Sequence, residues 1–465
     1  MDILLTHGYF LNEDQKELQI MKPYPPLGLL YLSSFLKARG YEVEIFDSTF
    51  HSPTDLDNRL QGGEPGLLGI YANLMTRPNV VNIIRTAKNA GWEVIVGGPE
   101  PMNYLEEYFT AGADVVVIGE GELTLEEILA VRRKKRSDSL SGIRGLALRN
   151  QNGQPQHTGV RALIPDLDSI PWPDRKAIDL CSYLHAWKTA HGKGSVSLIT
   201  SRGCPYHCRW CSHSVYGKTH RRRHPTAVVN EIQHIRERYA PDMLWIADDV
   251  FTIQHRWLFE FAEQMKDRCL TIPFECITRA DRLNETVADT LADLKCFRIW
   301  IGSESGSQRL LDAMQRNVTV EQVRKSISLC TERGIQTGMF LMWGYQGEEL
   351  SDIEATIEHV KKSAPDIFLT TIAYPIKGTD YFNDVSPSLL APKEWQKSSD
   401  RDYGLRGRHS RAYYQLADQL LRNEVTLHQA CLTGSDSNSA EMRNLRREIT
   451  ECREGLTVTR CEFEA

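Results

Sequence analysis

Hydrophobic and polar positions in the first 135 residues alternate between short apolar runs and longer amphipathic stretches. The runs DILLTHG (2–8), EVEIFD (42–47), LLGIYA (67–72), EVIVGG (93–98) and DVVVIG (114–119) have the length and β-branched content of strands. Between them, stretches such as PLGLLYLSSFLKARG (26–40) carry apolar residues at helical spacing, opened by Pro26 and closed by Gly40. Strand–helix alternation at this pitch predicts a parallel sheet covered by helices on both faces, which takes ligands beyond the carboxyl ends of its strands. Strand three runs into Asn73-Leu74-Met75-Thr76, strand four into Gly97-Gly98-Pro99, and strand five into Gly119-Glu120-Gly121-Glu122. Glycine there lets the backbone approach a bulky ligand, although the same residues also serve ordinary βα turns.

Residues 143–165 read as a hairpin about Asn152-Gly153, and IPDLDSIPWPDR (164–175), with three prolines, reads as a linker. The alternation then resumes with SVSLIT (195–200), MLWIAD (243–248), PFECIT (273–278), FRIWIG (297–302), TGMFLMW (337–343) and DIFLTTIA (366–373). Six βα units predict a partial (β/α)6 TIM-type barrel with a site at the carboxyl ends of its strands. RAYYQLADQLLRNEVTLHQ (411–429) has helical periodicity, and the charged tail after TGSDSNSAE (433–441) reads as loosely packed. The expected fold class is α/β: an open-sheet domain over 1–140, a hairpin and linker over 141–180, a partial barrel over 181–385, and a mainly helical, site-capping region over 386–465.

Charge and cysteine usage narrow the function. Lys and Arg number 55 against 61 Asp and Glu, a net charge of −6, which argues against a nucleic-acid partner. MDILLTHGYF lacks the basic and apolar regions of a signal peptide, and no run of about 18 apolar residues predicts a membrane span. The expectation is a cytoplasmic protein. The 11 cysteines are odd in number and unevenly spaced, which argues against a disulfide framework. Cys181, Cys269, Cys276, Cys296, Cys330, Cys431, Cys452 and Cys461 are scattered and read as small buried hydrophobes or surface thiols. The basic run His220-Arg221-Arg222-Arg223-His224 reads as a solvated or phosphate-facing loop.

Cys204, Cys208 and Cys211 stand apart, spaced C-x3-C-x2-C within TSRGCPYHCRWCSHS (200–214). Zinc wants four ligands, and His207, His213, His220 or His224 could complete a Cys3His set. A [4Fe–4S] cluster held by three thiolates instead leaves one iron open to a small molecule. The loop directly follows the first predicted barrel strand, which favours the cluster over a zinc knuckle. Tyr206 and Trp210 place aromatic surface beside it.

RGCPYHCRWC (202–211) resembles the cluster loop of the radical S-adenosylmethionine (SAM) enzymes. The resemblance implies that Cys204, Cys208 and Cys211 ligate a [4Fe–4S] cluster, that its open iron binds SAM, and that SAM is cleaved to a 5′-deoxyadenosyl radical. WIADDVFT (245–252), CITRADRL (276–283), GSESGSQRLLDAMQRN (302–317) and YPIKGTDYF (374–382) are similar to further segments of that family. They imply SAM contacts from Tyr206, Trp210, Asp249, Arg279, Glu304, Ser305 and Gly306, with Arg279 on the methionine carboxylate and Glu304 on the ribose. Two features depart from the pattern. Gly344-Tyr345-Gln346-Gly347-Glu348 replaces the common Gly-Leu-Pro-Gly-Glu and reads as a reshaped site wall. No Gly-Gly-Glu follows the second barrel strand, which leaves its work to the aspartates there.

PYPPLGLLYLSSFLKARGYEVEIFD (23–47), GIYANLMT (69–76), VIVGGPEP (94–101) and VIGEGELTLEEIL (117–129) resemble the Rossmann-like cobalamin-binding domains fused to radical SAM cores. That resemblance implies a cobalamin site shaped by Leu27, Gly28, Asn73, Leu74, Met75, Gly97, Gly98, Pro99, Gly119, Glu120 and Glu122. The Asp-x-His-x-x-Gly motif that supplies cobalt with a lower histidine does not occur, and His7 and His51 read as loop residues. Cobalamin is therefore expected base-off. The implied function is methylation of an unactivated carbon in a small-molecule or lipid substrate, with flavodoxin or ferredoxin as electron donor and no nucleic acid. Ring formation, ring contraction or oxidative rearrangement with the same cofactors is the alternative. An RNA methylthiotransferase is set aside, because residues 1–180 hold no cysteine for its second cluster. A corrinoid carrier would have no use for the cluster loop.

Overall fold

A computed structural model describes residues 1–134, 140–392, 394–434 and 439–458. The chain forms two compact units, one of residues 1–205, 212–247 and 392–401, the other of 206–211, 248–391 and 402–465.

The first unit is built on a seven-stranded sheet with the order β2-β1-β3-β4-β5-β6-β7. Its strands are β1 (Ile3–His7), β2 (Val43–Phe46), β3 (Leu67–Tyr71), β4 (Glu93–Gly97), β5 (Val115–Val117), β6 (Leu146–Arg149) and β7 (Pro155–His157). β1 to β5 run parallel; β6 and β7 are the hairpin expected at Asn152-Gly153, added antiparallel. The apolar runs are explained by burial on both faces. Ile3 and Leu5 pack with Leu29, Phe35 and Ile128, whereas Leu4 packs with Leu56, Val80 and Ile84 on the other side. Strand order reverses between β1 and β3, the switch point where such sheets open a crevice.

Gly98 makes that edge sterically specific. It has φ +119°, and a Cβ there would lie 2.2 Å from the Ala72 carbonyl oxygen. Gly98→Ala should therefore cost about 3 kcal/mol of stability, combining overpacking with a backbone conformation that alanine disfavours. Urea denaturation followed by circular dichroism measures it.

The first unit also holds β8 (Ser195–Leu198) parallel to β11 (Met243–Ile246), and a short antiparallel pair, β9 (Ser201–Arg202) with β10 (Arg221–Arg222). The basic run is not a solvated loop. Arg221 pairs with Glu120 at 2.9 Å, and the buried Glu231 carboxylate pairs with both Arg223 and Arg175. These guanidiniums are spent on internal charges, which burial demands. The segment 392–401 is anchored by Arg77, fully buried between Glu100 and Asp400, with Trp395 against Tyr104 and Tyr108.

The second unit contains β12 (Phe274–Thr278), β13 (Cys296–Glu304), β14 (Gln336–Trp343) and β15 (Ile367–Ile372), paired in parallel in that order. Helices Glu285–Asp293, Val320–Thr331 and Leu350–Ser363 connect them, as the alternation predicts. A short antiparallel pair follows, β16 (Leu389–Leu390) and β17 (Gly404–Leu405). The described part of the charged tail is not loosely packed: Ala440–Val458 is a helix that buries Met442, Leu445, Ile449, Cys452 and Leu456 against Arg411–Leu432, while residues 435–438 and 459–465 lie outside the described residues. Its apolar residues recur every three or four positions within a strongly charged stretch, so average polarity concealed a single buried stripe.

Among the described residues, no helix is long and apolar enough to cross a membrane. None of the described cysteines is in a disulfide: Cys276, Cys296, Cys330 and Cys452 are buried and Cys181, Cys269 and Cys431 exposed, while Cys461 lies outside the described residues.

Candidate active site

In the second unit, residues 206–211 form a pinned loop. The Cys211 amide donates to the Cys208 carbonyl at 3.1 Å, closing a turn. The Arg209 amide donates to Met314 O, and Tyr381 N donates back to Arg209 O at 2.8 Å. Trp210 packs against the cluster of Leu310, Met314, Tyr345 and Tyr381, and the Arg209 guanidinium pairs with Asp384.

Cys208 is the buried thiol of the three; Cys204 and Cys211 are half-buried. Two buried guanidiniums donate to its sulfur: Arg279 Nη1 at 3.8 Å and Arg316 Nη1 at 3.6 Å. Arg279 continues β12 and is held on every side. Its Nε donates to Asp281 at 2.8 Å, its Nη2 donates to the Arg316 carbonyl at 2.8 Å, and its plane lies 3.6 Å over the Tyr206 ring. The Tyr206 hydroxyl accepts from Arg282 Nε.

Glu304 ends β13 where the register with β14 shifts, at φ +64°, a left-handed conformation that a glutamate adopts at a cost of about 1 kcal/mol or more. Its carboxyl is buried 3.6 Å from Arg316 Nε. Burial pushes it above the usual carboxylate range, with Arg316 and Arg279 opposing. Ser305 Oγ and Gly306 N both reach Thr356 Oγ1, at 3.1 and 2.9 Å. Gly306 lies so close to helix Leu350–Ser363 that a Cβ would fall 2.4 Å from Ala355 O. Asp248 is buried and Asp249 is exposed. Cys208, Tyr206, Arg279 and Glu304 are thus linked through Arg316, a residue to which the sequence reading assigned no role. Its place depends on the chain reversing after helix Gln308–Ala313, with Gln315 and Asn317 both at positive φ.

In the first unit, the carboxyl ends of β1 to β5 bring the other predicted residues to one sheet edge. Asn73 Oδ1 accepts from Met75 N at 2.9 Å and Thr76 N at 3.0 Å, a turn that leaves Met75 exposed. Leu74, Gly97, Pro99 and Gly119 are half-buried, and Gly28 stands in open space beside buried Leu27. Glu120 and Glu122 are committed elsewhere. Both are buried and pair with Arg202 at 2.7 and 2.5 Å, and Glu120 also accepts from Ile164 N. His7 is no loop residue; it is the buried last residue of β1. Its Nε2 lies 2.9 Å from Asp47, and its Nδ1 accepts from Tyr9 N.

Among the described residues, no three His, Cys, Asp or Glu side chains converge closely enough for a metal ion. The donor chemistry nevertheless fits an iron–sulfur cluster, with three thiols outside any disulfide, of which the buried one faces two guanidiniums. The sheet edge fits a large planar ligand, with open space at Gly28 and an exposed Met75.

Residues 198–360 match the Radical SAM superfamily, and residues 19–129 match the B12 binding domain. The chain is 29% identical over 395 residues to an uncharacterised methyltransferase of Pyrococcus horikoshii, covering 83% of this chain and 84% of that one. It is 24% identical over 399 residues to the anaerobic magnesium-protoporphyrin IX monomethyl ester cyclase of Rubrivivax gelatinosus, covering 84% and 71%. Its fold is similar to that of the radical S-adenosylmethionine methyltransferase TsrM from Kitasatospora setae, solved with cobalamin and a [4Fe–4S] cluster bound. The TM-score there is 0.70 at 18% identity, over 98% of this chain and 99% of that one.

Proposed function

The chain belongs to the cobalamin-binding radical SAM enzymes, and from that premise we propose that it methylates an unactivated carbon of a small-molecule or lipid substrate. What carries this reading is the likeness, over most of both chains, to a methyltransferase, in a protein whose buried Cys208 thiol faces two guanidiniums. When bound, the cluster supplies the electron that cleaves SAM, and cobalamin supplies the methyl group. The chain's own contribution is positional. Cys204, Cys208 and Cys211 hold the cluster. Arg279, gripped by Asp281 and stacked on Tyr206, would meet the SAM carboxylate as a fixed cation. Glu304 takes the ribose, and Trp210, Asp249, Ser305 and Gly306 complete the SAM contacts. Cobalamin lies at the edge formed by Leu27, Gly28, residues 73–75, residues 97–99 and Gly119, with Glu120 and Glu122 fixing the edge through Arg202.

A bound cobalamin would be held base-off, with no protein histidine on cobalt; in support, both ring nitrogens of His7 are already engaged. We retain the division into a cobalamin domain at 1–140, a linker at 141–180, a barrel at 181–385 and a helical cap at 386–465. An electron donor such as flavodoxin or ferredoxin, in the cytoplasm, would supply the electron this chemistry needs. The cyclase relative favours the second reading, oxidative ring formation with the same cofactors.

The products separate the two. Anaerobic, reconstituted and reduced protein given SAM should yield both 5′-deoxyadenosine and S-adenosylhomocysteine if it methylates. Deoxyadenosine without S-adenosylhomocysteine favours cyclisation. The electron paramagnetic resonance of bound cob(II)alamin should lack nitrogen splitting; splitting that responds to 15N-histidine labelling would contradict the base-off assignment.

A further inference from the structure

A cavity of about 90 Å³ opens at the carboxyl end of β14, within the second unit. It holds several times the roughly 10–15 Å³ that one water needs. Residues 345–348 form one wall, and residues 405–409 with Tyr414 form the other. Glu348 is buried, and its Oε2 accepts from Gly344 N at 2.7 Å. Among the described residues its Oε1 has no hydrogen-bond partner. A buried oxygen left in that state has lost its hydration without a replacement, and marks a place where a partner is missing. Arg406 and Arg408 line the same cavity; Arg408 also donates to Ala373 O at 2.6 Å.

We propose that this cavity receives an oxyanionic group of the substrate, a carboxylate or a phosphate, with Glu348 donating a hydrogen bond and Arg406 and Arg408 supplying counter-charge. That the anion belongs to the substrate rests on the methyltransferase reading; the anion site itself does not. Two guanidiniums make the pocket hostile to an ammonium group, and the unpartnered carboxyl makes it wasteful for a hydrocarbon. Burial pushes the Glu348 carboxyl up to about 8, so it is neutral and a donor below that pH and a repelling anion above it. The groups around it are Asp352, which raises it, Arg309, which lowers it, the two guanidiniums, His409, and the tyrosines Tyr345 and Tyr414.

Ligand-observed NMR on the full chain tests this, with 4-fluorobenzoate read by 19F and inorganic phosphate by 31P. At pH 7, one of the two lines should broaden, and which one does so identifies the oxyanion. Glu348→Gln, which still donates, should keep the binding. Glu348→Ala should weaken it at least fivefold and Arg406→Ala at least threefold; Arg406 is exposed, so that variant folds even where Glu348→Ala does not. Between pH 7 and 9, parent affinity should fall about tenfold and that of Glu348→Gln should not. Broadening of neither anion, or broadening indifferent to both alanine variants, would overturn the proposal. Anion binding that persists in a protein unable to transfer methyl would overturn the functional reading alone.

Discussion

Cys208→Ala should abolish 5′-deoxyadenosine formation, lowering it by roughly 10³-fold or more, and remove the visible absorbance of the reconstituted cluster. The expectation rests on chemistry and placement together. A three-thiolate cluster has no spare protein ligand, so losing one thiolate leaves two irons without protein donors. Cys208 is also the thiol met by two buried guanidiniums, Arg279 and Arg316. Anionic sulfur compensates those cations, and alanine cannot. Iron and sulfide content, with absorbance under anaerobic conditions, measures the first effect, and chromatography of the nucleoside product measures the second. A Cys208→Ala protein that keeps full cluster absorbance would show that the cysteines play another role.

Arg279→Met is the second large effect, and it should appear in stability as well as in cofactor binding. The side chain is 1% exposed and links four partners: Asp281, the Arg316 carbonyl, the Cys208 sulfur and the Tyr206 ring. Removing it leaves the Arg316 carbonyl without its donor and takes from the half-buried Asp281 carboxylate one of its two guanidiniums, the other being Arg282, a loss of about 2 kcal/mol. If Arg279 meets the SAM carboxylate as proposed, SAM affinity should fall at least tenfold. Arg279→Lys keeps the charge without the planar fork, and should recover part of the binding but less of the stability. Equilibrium denaturation and calorimetric titration with SAM separate the two losses. A variant with unchanged SAM affinity would remove Arg279 from the site.

Much of this was legible in the sequence. Every predicted strand of both units appears, because parallel strands buried on both faces must be continuously apolar, as Leu67–Tyr71 and Val115–Val117 are. Asn152-Gly153 announced its hairpin, since that pair suits the tight turn. Three cysteines in eight residues announced their loop. Pairings distant in sequence were not legible. Nothing local ties Arg221 to Glu120, 101 residues away, so the basic run reads as solvated although Arg221 and Arg223 are held against carboxylates. Arg316 reaches Cys208 across 108 residues, and only the reversal of the chain after residue 313 brings it there. His7 looked like a loop residue because its partner, Asp47, sits at the end of a different strand. Glu348 is a milder case: the departure from the usual strand-end pattern marked residues 344–348, but not the unpartnered oxygen or the arginines opposite.

The most direct measurement follows the methyl group. Reconstituted protein, loaded with hydroxocobalamin, reduced and given SAM with a deuterated methyl, is analysed by mass spectrometry for 5′-deoxyadenosine, S-adenosylhomocysteine and label on cobalamin. A cobalamin-dependent methyltransferase yields all three, with the label on cobalt. Deoxyadenosine accompanied by bound cobalamin that never carries the label would contradict methyl transfer and leave oxidative cyclisation in its place.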